Sequence, residues 1–139
     1  MSTPLRAHDL DLLRRPLHGF LTIAGGPQPP QPRPVWFEAS DDGTVSLFTG
    51  PDTAKVRQLQ RDPRASLVVA APVGEREHWV SVTGPVTVEH DGADELLHRL
   101  AARYWDLDDP GRAAELAEMA AQNWLRVVIH PEKVTGYAM

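Results

Sequence analysis

The chain has 139 residues, 42% of them hydrophobic and 24% charged, which is typical of one folded domain spanning residues 1–139. Its formal net charge of −5 argues against broad nucleic-acid binding, and the absence of cysteine excludes disulfides, thiolate nucleophiles and cysteine-ligated metals. No apolar run reaches the roughly 18 residues that a membrane helix needs, so we expect a cytoplasmic protein without membrane contact.

The first third of the chain predicts a helix followed by three strands. Residues 7–15 form an amphipathic pattern that Pro16 limits, and residues 19–25 (GFLTIAG) are rich in β-formers. A stiff loop follows at residues 26–34, where five of nine residues are proline. Residues 35–39 (VWFEA) and 44–49 (TVSLFT) then read as a hairpin, because DDG between them favours a turn.

The middle of the chain predicts a short helix within a strand-rich region. TAKVRQLQRD after the GPD turn has helical spacing and ends at Pro63, and residues 65–71 (ASLVVAA) suit a strand buried on both sides. Residues 79–84 (WVSVTG) and 85–90 (PVTVEH) alternate cleanly, which predicts either one bent strand or a tight hairpin.

The last third predicts a helix pair and a closing strand. Apolar residues recur at helical spacing in residues 93–105 and 112–122, residues 125–130 (LRVVIH) form a strand, and residues 133–137 are a possible edge extension. With no internal repeat and no second composition regime, the prediction is one α+β domain on a sheet of about six strands.

Most sequence motifs that carry chemistry are missing. The histidines show no paired metal spacing, and the chain contains no hydrolase elbow, no P-loop and no dinucleotide fingerprint. DLDDPG, residues 106–111, lacks the glutamate that closes a calcium loop and is better read as a helix N-cap. No metal site is therefore predicted.

One motif does indicate a ligand. FTGPDTAK, residues 48–55, predicts a strand, a tight turn and a helix start capped by Asp52 or Thr53, where unpaired N–H groups and the helix dipole attract anions. Thr49 and Thr53 add hydroxyl groups, Gly50 permits close backbone approach, and Lys55 adds a positive charge. The pattern suits a phosphate, although a capped helix with a solvated basic face would have the same sequence.

The segment RPVWFEASDDGTVSLFTGPDTAKVRQLQRDPRASLVV, residues 33–69, resembles the core signature of flavin and deazaflavin oxidoreductases with a split β-barrel, the pyridoxamine phosphate oxidase-like superfamily. A weaker similarity extends from residue 19 to KVTGY near the end. The resemblance implies an α+β fold, a six-stranded antiparallel split β-barrel with peripheral helices.

The resemblance also implies a cofactor site. The arginine that leads the matching strand reaches the cofactor phosphate, the next positions line the cofactor ring, and an aromatic followed by Thr-x-x-x-Ser/Thr-x-Lys maps onto residues 48–55. The cofactor-binding residues predicted in this way, with their neighbours, are Arg33, Val35, Trp36, Phe37, Thr49, Gly50, Thr53, Ala54, Lys55 and Arg57.

Two positions depart from the pyridoxamine phosphate oxidases themselves: Glu38 replaces a lysine that meets the polar edge of the flavin, and Gly50 replaces an asparagine. AKVRQLQRDPRASLVV looks closer to the actinobacterial branch that uses coenzyme F420, a deazaflavin with a phosphate and an acidic tail. Arg57, Arg61 and Arg64 are then either a solvated helix face or contacts for that tail.

The resemblance implies a homodimer with a cofactor at the subunit interface, and hydride transfer to or from a small conjugated organic substrate. No catalytic acid or base is predicted, since a cofactor enzyme mainly positions the reactive ring. The alternatives are an FMN-binding oxidase or reductase of the pyridoxamine phosphate oxidase-like type, a non-catalytic cofactor carrier or sensor, and a split barrel without a cofactor.

Overall fold

The computed structural model describes residues 5–139, which form four helices and eight strands. The helices are α1 (Ala7–Leu13), α2 (Ala54–Arg61), α3 (Ala93–Tyr104) and α4 (Pro110–Ala120). The strands are β1 (Gly19–Ile23), β2 (Arg33–Val35), β3 (Glu38–Ala39), β4 (Val45–Thr49), β5 (Arg64–Ala70), β6 (His78–Glu89), β7 (Leu125–Ile129) and β8 (Lys133–Ala138). No helix in the described part of the chain is long and apolar enough to cross a membrane.

All strand pairs of the sheet are antiparallel, and the strands follow the order β2-β1-β5-β6-β7-β4-β3, with β8 also paired to β6. Strand β6 is the longest and takes part in both halves of the sheet. Its first part pairs with β5 and β8, and its last four residues pair with β7. The α+β class predicted from the sequence is confirmed.

The bend in β6 lies at Gly84 and Pro85, where β6 changes from pairing with β8 to pairing with β7. A Cβ atom on Gly84 would lie 1.8 Å from the carbonyl oxygen of His130, so only glycine fits there. The backbone N–H of His130 donates to the carbonyl of Pro85 at 2.9 Å, and that of Glu132 donates to Thr83 at 2.9 Å. The two predicted segments at 79–84 and 85–90 thus belong to one bent strand, His78–Glu89, the first of the two predicted alternatives.

The core lies inside the curled sheet, beneath α1, α2 and α3. Alternate residues of β5 and β6 point inward and are almost fully buried, as the period-two pattern of these strands predicts. The largest fully buried side chains are Phe37, Leu13, Leu47, Leu67, Leu96, Leu97, Leu100, Ile129, Val45, Val69, Val80 and Val82. The outward residues of β5 are half-buried or exposed in the single chain, so the predicted burial on both sides is seen on the inner face alone.

Three other predictions need correction. The sheet has eight strands instead of six, because 133–138 is a full strand on β6 and the predicted strand at 35–39 is divided. Pairing stops at Trp36 and Phe37, where the backbone N–H of Phe37 donates to the Tyr104 hydroxyl at 3.3 Å instead of to a strand. Helix α1 ends at Leu13, two residues before the predicted boundary.

Helix α1 is anchored by a buried carboxylate. Asp9 is 3% exposed, and its Oδ1 lies 3.0 Å from Nε2 of His78 while Arg6 Nε donates to its Oδ2 at 3.2 Å. Burial alone would raise the pKa of Asp9, but the hydrogen bonds from His78 and Arg6 outweigh it and hold this pKa below its ordinary value. The pair joins the first helix to the start of β6.

Arg103 of α3 holds the other end of α1. Its guanidinium donates to the carbonyl oxygens of Leu13, Arg14 and Arg15 at 2.9, 2.8 and 2.5 Å. These carbonyls have no partner within the helix. A cation stabilises them by hydrogen bonding and by its attraction to the negative, C-terminal end of the helix dipole. The same guanidinium lies 5.4 Å from the ring centroid of Phe37, which adds a cation–π contact.

We expect Arg103→Ala to lower the free energy of unfolding by about 3 kcal/mol, because it removes charge-assisted bonds to three carbonyls. Urea denaturation measures this change. Arg61→Ala is the matched control, since Arg61 is exposed, and it should change the free energy by less than about 0.5 kcal/mol. Equal effects of the two substitutions would contradict the capping role of Arg103.

Candidate functional site

The end of β4 leads directly into the start of α2, and local hydrogen bonds hold this junction. Thr53 is the N-cap: its Oγ1 accepts from the backbone N–H of Val56 at 3.4 Å and donates to the carbonyl of Gly50 at 3.1 Å. The hydroxyl oxygens of Thr49 and Thr53 lie 3.1 Å apart. The strand, turn and capped helix predicted from FTGPDTAK are confirmed, with Thr53 as the cap.

A cleft of about 330 Å³ lies between this junction and the strands β1 and β2. The proline-rich loop closes one side of it, and the first turns of α2 close the other. Its lining residues are Leu21, Ile23, Gly26, Pro27, Gln31, Arg33, Thr49, Thr53, Ala54, Lys55 and Gln58. The lining contains two cations and no carboxylate.

The two cations of the cleft have no acidic partner among residues 5–139. Lys55 makes no salt bridge there, and Arg33 donates only to the side-chain carbonyl of Gln31, at 2.8 Å. Burial lowers the pKa of Lys55 below its ordinary 10.5, because the charged ammonium loses hydration. An anion in the cleft would supply the missing counter-charge to both groups.

The remaining basic residues of the segment point elsewhere. Arg64 forms two hydrogen bonds with Asp62, at 2.9 and 2.7 Å, and these bonds lower the pKa of the Asp62 carboxyl. Arg57 is exposed and donates to the backbone carbonyl of Asp52 at 3.0 Å. Of the four basic side chains between residues 55 and 64, only Lys55 lines the cleft.

A second pocket, of about 340 Å³, is lined by Val35, Trp36, Phe48, Trp105 and Met119. We call it the aromatic pocket. Trp36 stacks on Tyr104, with ring centroids 5.2 Å apart and planes 4° apart, and stands perpendicular to Trp105 at 4.8 Å. Phe48 meets Trp36 and Trp124 edge to face, at 6.3 and 5.0 Å. The cluster thus ties the ends of β2 and β4 to α3 and α4.

The predicted site residues divide into three groups. Arg33, Thr49, Thr53, Ala54 and Lys55 line the cleft, Gly50 adjoins it through its bond to Thr53, and Arg57 lies outside. Val35 and Trp36 line the aromatic pocket instead. Phe37 is fully buried in the core and lines neither the cleft nor the aromatic pocket, so its predicted contact with the cofactor ring is not seen.

Glu38 occupies the position at which the oxidases that the sequence resembles have a lysine. It forms a bidentate ion pair with Arg99 of α3. Arg99 Nη2 donates to its Oε1 at 2.7 Å, and Arg99 Nε donates to its Oε2 at 3.1 Å. The acidic group at this position is therefore neutralised by the protein itself. It lines neither the cleft nor the aromatic pocket.

Sequence reasoning missed several lining residues. Gln58 lies one helical turn beyond Ala54, so the period of α2 could have identified it as a neighbour in the cleft. Gln31 enters from the proline-rich loop, and Trp105 and Met119 enter the aromatic pocket from α3 and α4, without any local signal. No group of three or more His, Asp or Glu side chains in the described chain could hold a metal ion.

Solved structures with the same fold provide the first comparison. One is a conserved hypothetical protein from Mycobacterium tuberculosis, with 20% identity, a TM-score of 0.72, and coverage of 99% of this chain and 86% of that one. An F420 reductase has 22% identity, a TM-score of 0.73, and coverage of 94% and 98%. An FAD-binding protein from Mycobacterium smegmatis has 18% identity, a TM-score of 0.61, and coverage of 99% of both chains. At these identities the likeness shows the fold.

The second comparison, with curated proteins, finds no match. The third, with protein-family models, finds one model, described as pyridoxamine 5'-phosphate oxidase, that matches residues 7–136. The match covers both strands and the helix start that form the cleft, together with the elements of the aromatic pocket. The chain therefore belongs to the pyridoxamine 5'-phosphate oxidase family.

Proposed function

We propose that this protein is an oxidoreductase that binds coenzyme F420 and transfers a hydride to or from a small conjugated organic substrate. The observation that carries the proposal is the pairing of Lys55 and Arg33 across a cleft that no carboxylate lines. Lys55 is half-buried and loses hydration there without gaining a counter-charge, and the more exposed Arg33 faces the same cleft, so a bound anion would interact favourably with both.

The cleft fits the phosphate of such a coenzyme. The start of α2 presents backbone N–H groups and the positive end of its dipole, and the hydroxyls of Thr49 and Thr53 lie beside it. Lys55 and Arg33 approach from opposite walls, one as a point charge and the other as a planar donor. These residues would bind the phosphate and orient the rest of the molecule.

When bound, such a coenzyme supplies a hydride equivalent, two electrons and one proton, to an electron-poor double bond, and water supplies the second proton. The protein's part is to position the two reactants and limit access of water. The described residues of the cleft include no carboxylate and no histidine. Accordingly, we assign no catalytic acid or base.

The choice of deazaflavin rests on two supports. An F420 reductase is among the similar structures, and α2, which carries Lys55, also carries the exposed Arg57 and Arg61, which an acidic tail extending out of the cleft could contact. FAD-binding proteins are also among those structures, so FMN or another flavin is the second candidate. A protein that carries the cofactor without turnover is the remaining alternative.

We also propose that the working form is a homodimer. Phe20, Val68, Ala70, Trp79 and Tyr137 share the outer face of the sheet formed by β1, β5, β6 and β8. Phe20, Trp79 and Tyr137 are 44%, 39% and 51% exposed. A contiguous apolar patch of this kind is typical of an interface, and a second copy of the chain would cover it.

The cofactor assignment predicts that Lys55→Ala weakens binding of coenzyme F420 roughly 30-fold, since it removes one charge-assisted contact of about 2 kcal/mol. Titrations with coenzyme F420 and, separately, with FMN measure the affinities by absorbance and fluorescence. Lys133→Ala is the control, because this second lysine lies on β8 outside the cleft. Unchanged affinity in Lys55→Ala would refute the phosphate site.

A second prediction concerns pH. Because burial lowers the pKa of Lys55, the folded chain holds this proton less tightly than the unfolded chain. Relative to Lys55→Met, the wild type should be less stable at neutral pH, and this deficit should shrink as the pH rises through the lowered pKa toward 10.5. Urea unfolding of both proteins at neutral pH and at pH about 10 measures the difference.

Saturating inorganic phosphate at neutral pH should reduce the stability difference between the wild type and Lys55→Met. An anion in the cleft would restore favourable interactions of the Lys55 ammonium. The Lys55→Met protein should respond less to phosphate than the wild type. A stability difference that is independent of both pH and phosphate would argue against a desolvated ammonium at this site.

The dimer proposal predicts that Trp79→Glu yields a monomer, because it places a charge in the centre of the apolar patch. Light scattering after size exclusion, over a range of protein concentrations, measures the mass. Ala117→Glu, which adds the same charge on exposed α4, should leave the mass of the wild type unchanged. A monomeric wild type would disprove the proposed assembly.

A further inference from the structure

We infer that Gln31 is a positioning residue of the cleft: its side-chain amide holds the guanidinium of Arg33 in place for a bound phosphate without neutralising its charge. The inference rests on the proposed function, because the anion that Arg33 would meet is the phosphate of the coenzyme. Gln31 would then raise the affinity for the coenzyme by acting through Arg33.

The contact between the two side chains has a fixed direction. Arg33 Nη2 donates to Oε1 of Gln31 at 2.8 Å, and both residues line the cleft. A guanidinium has donors and no acceptor, so the amide has to accept with its oxygen. Because the amide is neutral, Arg33 keeps its full positive charge and its remaining N–H donors for a ligand.

A second arginine of the chain shows the effect of a charged partner at the same spacing. Arg64 is the first residue of β5, as Arg33 is of β2, and it is also held by the side chain two residues before it. That partner is Asp62, whose carboxylate neutralises the charge of Arg64. With an amide at the corresponding position, Arg33 stays available to an external anion.

The local sequence Gln31-Pro32-Arg33-Pro34 prepares this contact. Gln31 and Arg33 each precede a proline, which restricts both of them to extended backbone conformations. Side chains two residues apart on an extended chain lie on the same side, so the amide can reach the guanidinium. Arg33 is also fixed by the pairing of β2 with β1, where its partner is Leu21.

The other end of the proline-rich loop is packed against α2. A Cβ atom on Gly25 would lie 2.3 Å from the backbone carbonyl oxygen of Gln58, so only glycine permits this close approach. The segment that carries Gln31 is thus anchored on α2 at its start and on β1 at its end. Since α2 also carries Lys55, both walls of the cleft are connected through this segment.

The hydrogen bond between Gln31 and Arg33 contributes little to folding. Both side chains are exposed, so water competes for the same donors and acceptors. Its effect is on binding, because an arginine that is already held in place loses less conformational entropy when an anion arrives. Gln31 should therefore change the affinity for the coenzyme and leave the stability of the chain unchanged.

The test is a titration of three variants and the wild type with coenzyme F420. Gln31→Met keeps the length of the side chain but lacks the acceptor, and should weaken binding about fivefold. Gln31→Glu should weaken it about 20-fold, because a carboxylate competes with the phosphate for Arg33. Gln28→Glu is the control: it adds the same charge on the same loop outside the cleft, and should change the affinity less than about twofold.

Three further measurements separate positioning from a structural role. The affinity ratio of wild type to Gln31→Glu should shrink as the salt concentration rises, since ions screen the added charge. In an Arg33→Ala background, Gln31→Met should cost less than about twofold, because no guanidinium is left to hold. The urea midpoints of both Gln31 variants should equal that of the wild type.

Equal affinity of the wild type and both Gln31 variants would overturn the inference, and so would an undiminished effect of Gln31→Met in the Arg33→Ala background. The proposed function fails in a different way, if the wild type binds neither coenzyme F420 nor FMN. Inorganic phosphate is then the probe. Weaker phosphate binding by Gln31→Glu than by Gln28→Glu would keep Gln31 as a positioning residue of an anion site, whereas equal binding, or none, would refute that role as well.

Discussion

The close contact between Gly84 and the carbonyl of His130 is the constraint on which the architecture depends. Because Gly84 has no side chain, the two backbones can approach closely and β6 can bend there. Along its length β6 therefore pairs with β5, β8 and β7. Strand β5 connects β6 to β1 and β2, and β7 connects β6 to β4. One glycine in one strand thus connects the two walls of the cleft, which come from opposite ends of the sheet order.

The distribution of charge follows from this geometry. The chain is acidic overall, and several carboxylates are neutralised by nearby arginines, as in the pairs Glu38–Arg99 and Asp62–Arg64. Lys55 and Arg33 are different, because the curled sheet and α2 place them in a cleft with neutral neighbours. The local excess of positive charge is therefore smaller than the sequence indicates, but more concentrated where an anion would bind.

The aromatic cluster joins parts of the chain that are distant in sequence. Tyr104 is a hydrogen-bond partner of Leu17 and of Phe37, so it links the chain before β1 to the break between β2 and β3. Because the strand is interrupted there, Trp36 can stack on the ring of Tyr104. The same interaction that made the prediction of a continuous strand at 35–39 wrong builds one wall of the second pocket.

The sequence by itself determined the local features: the turn after β4, a helix start capped at Asp52 or Thr53, and the alternating strands. The structure then chose Thr53 as the cap and one bent strand for β6. Each local feature depends on backbone preferences and hydrogen bonds between residues only a few positions apart. Only the tertiary structure decided which cations face the cleft, that Phe37 is buried, and that Trp105 and Met119 join Trp36. These outcomes depend on side chains that lie tens of residues apart in the chain, and the curling of the sheet and the packing of the helices bring them together.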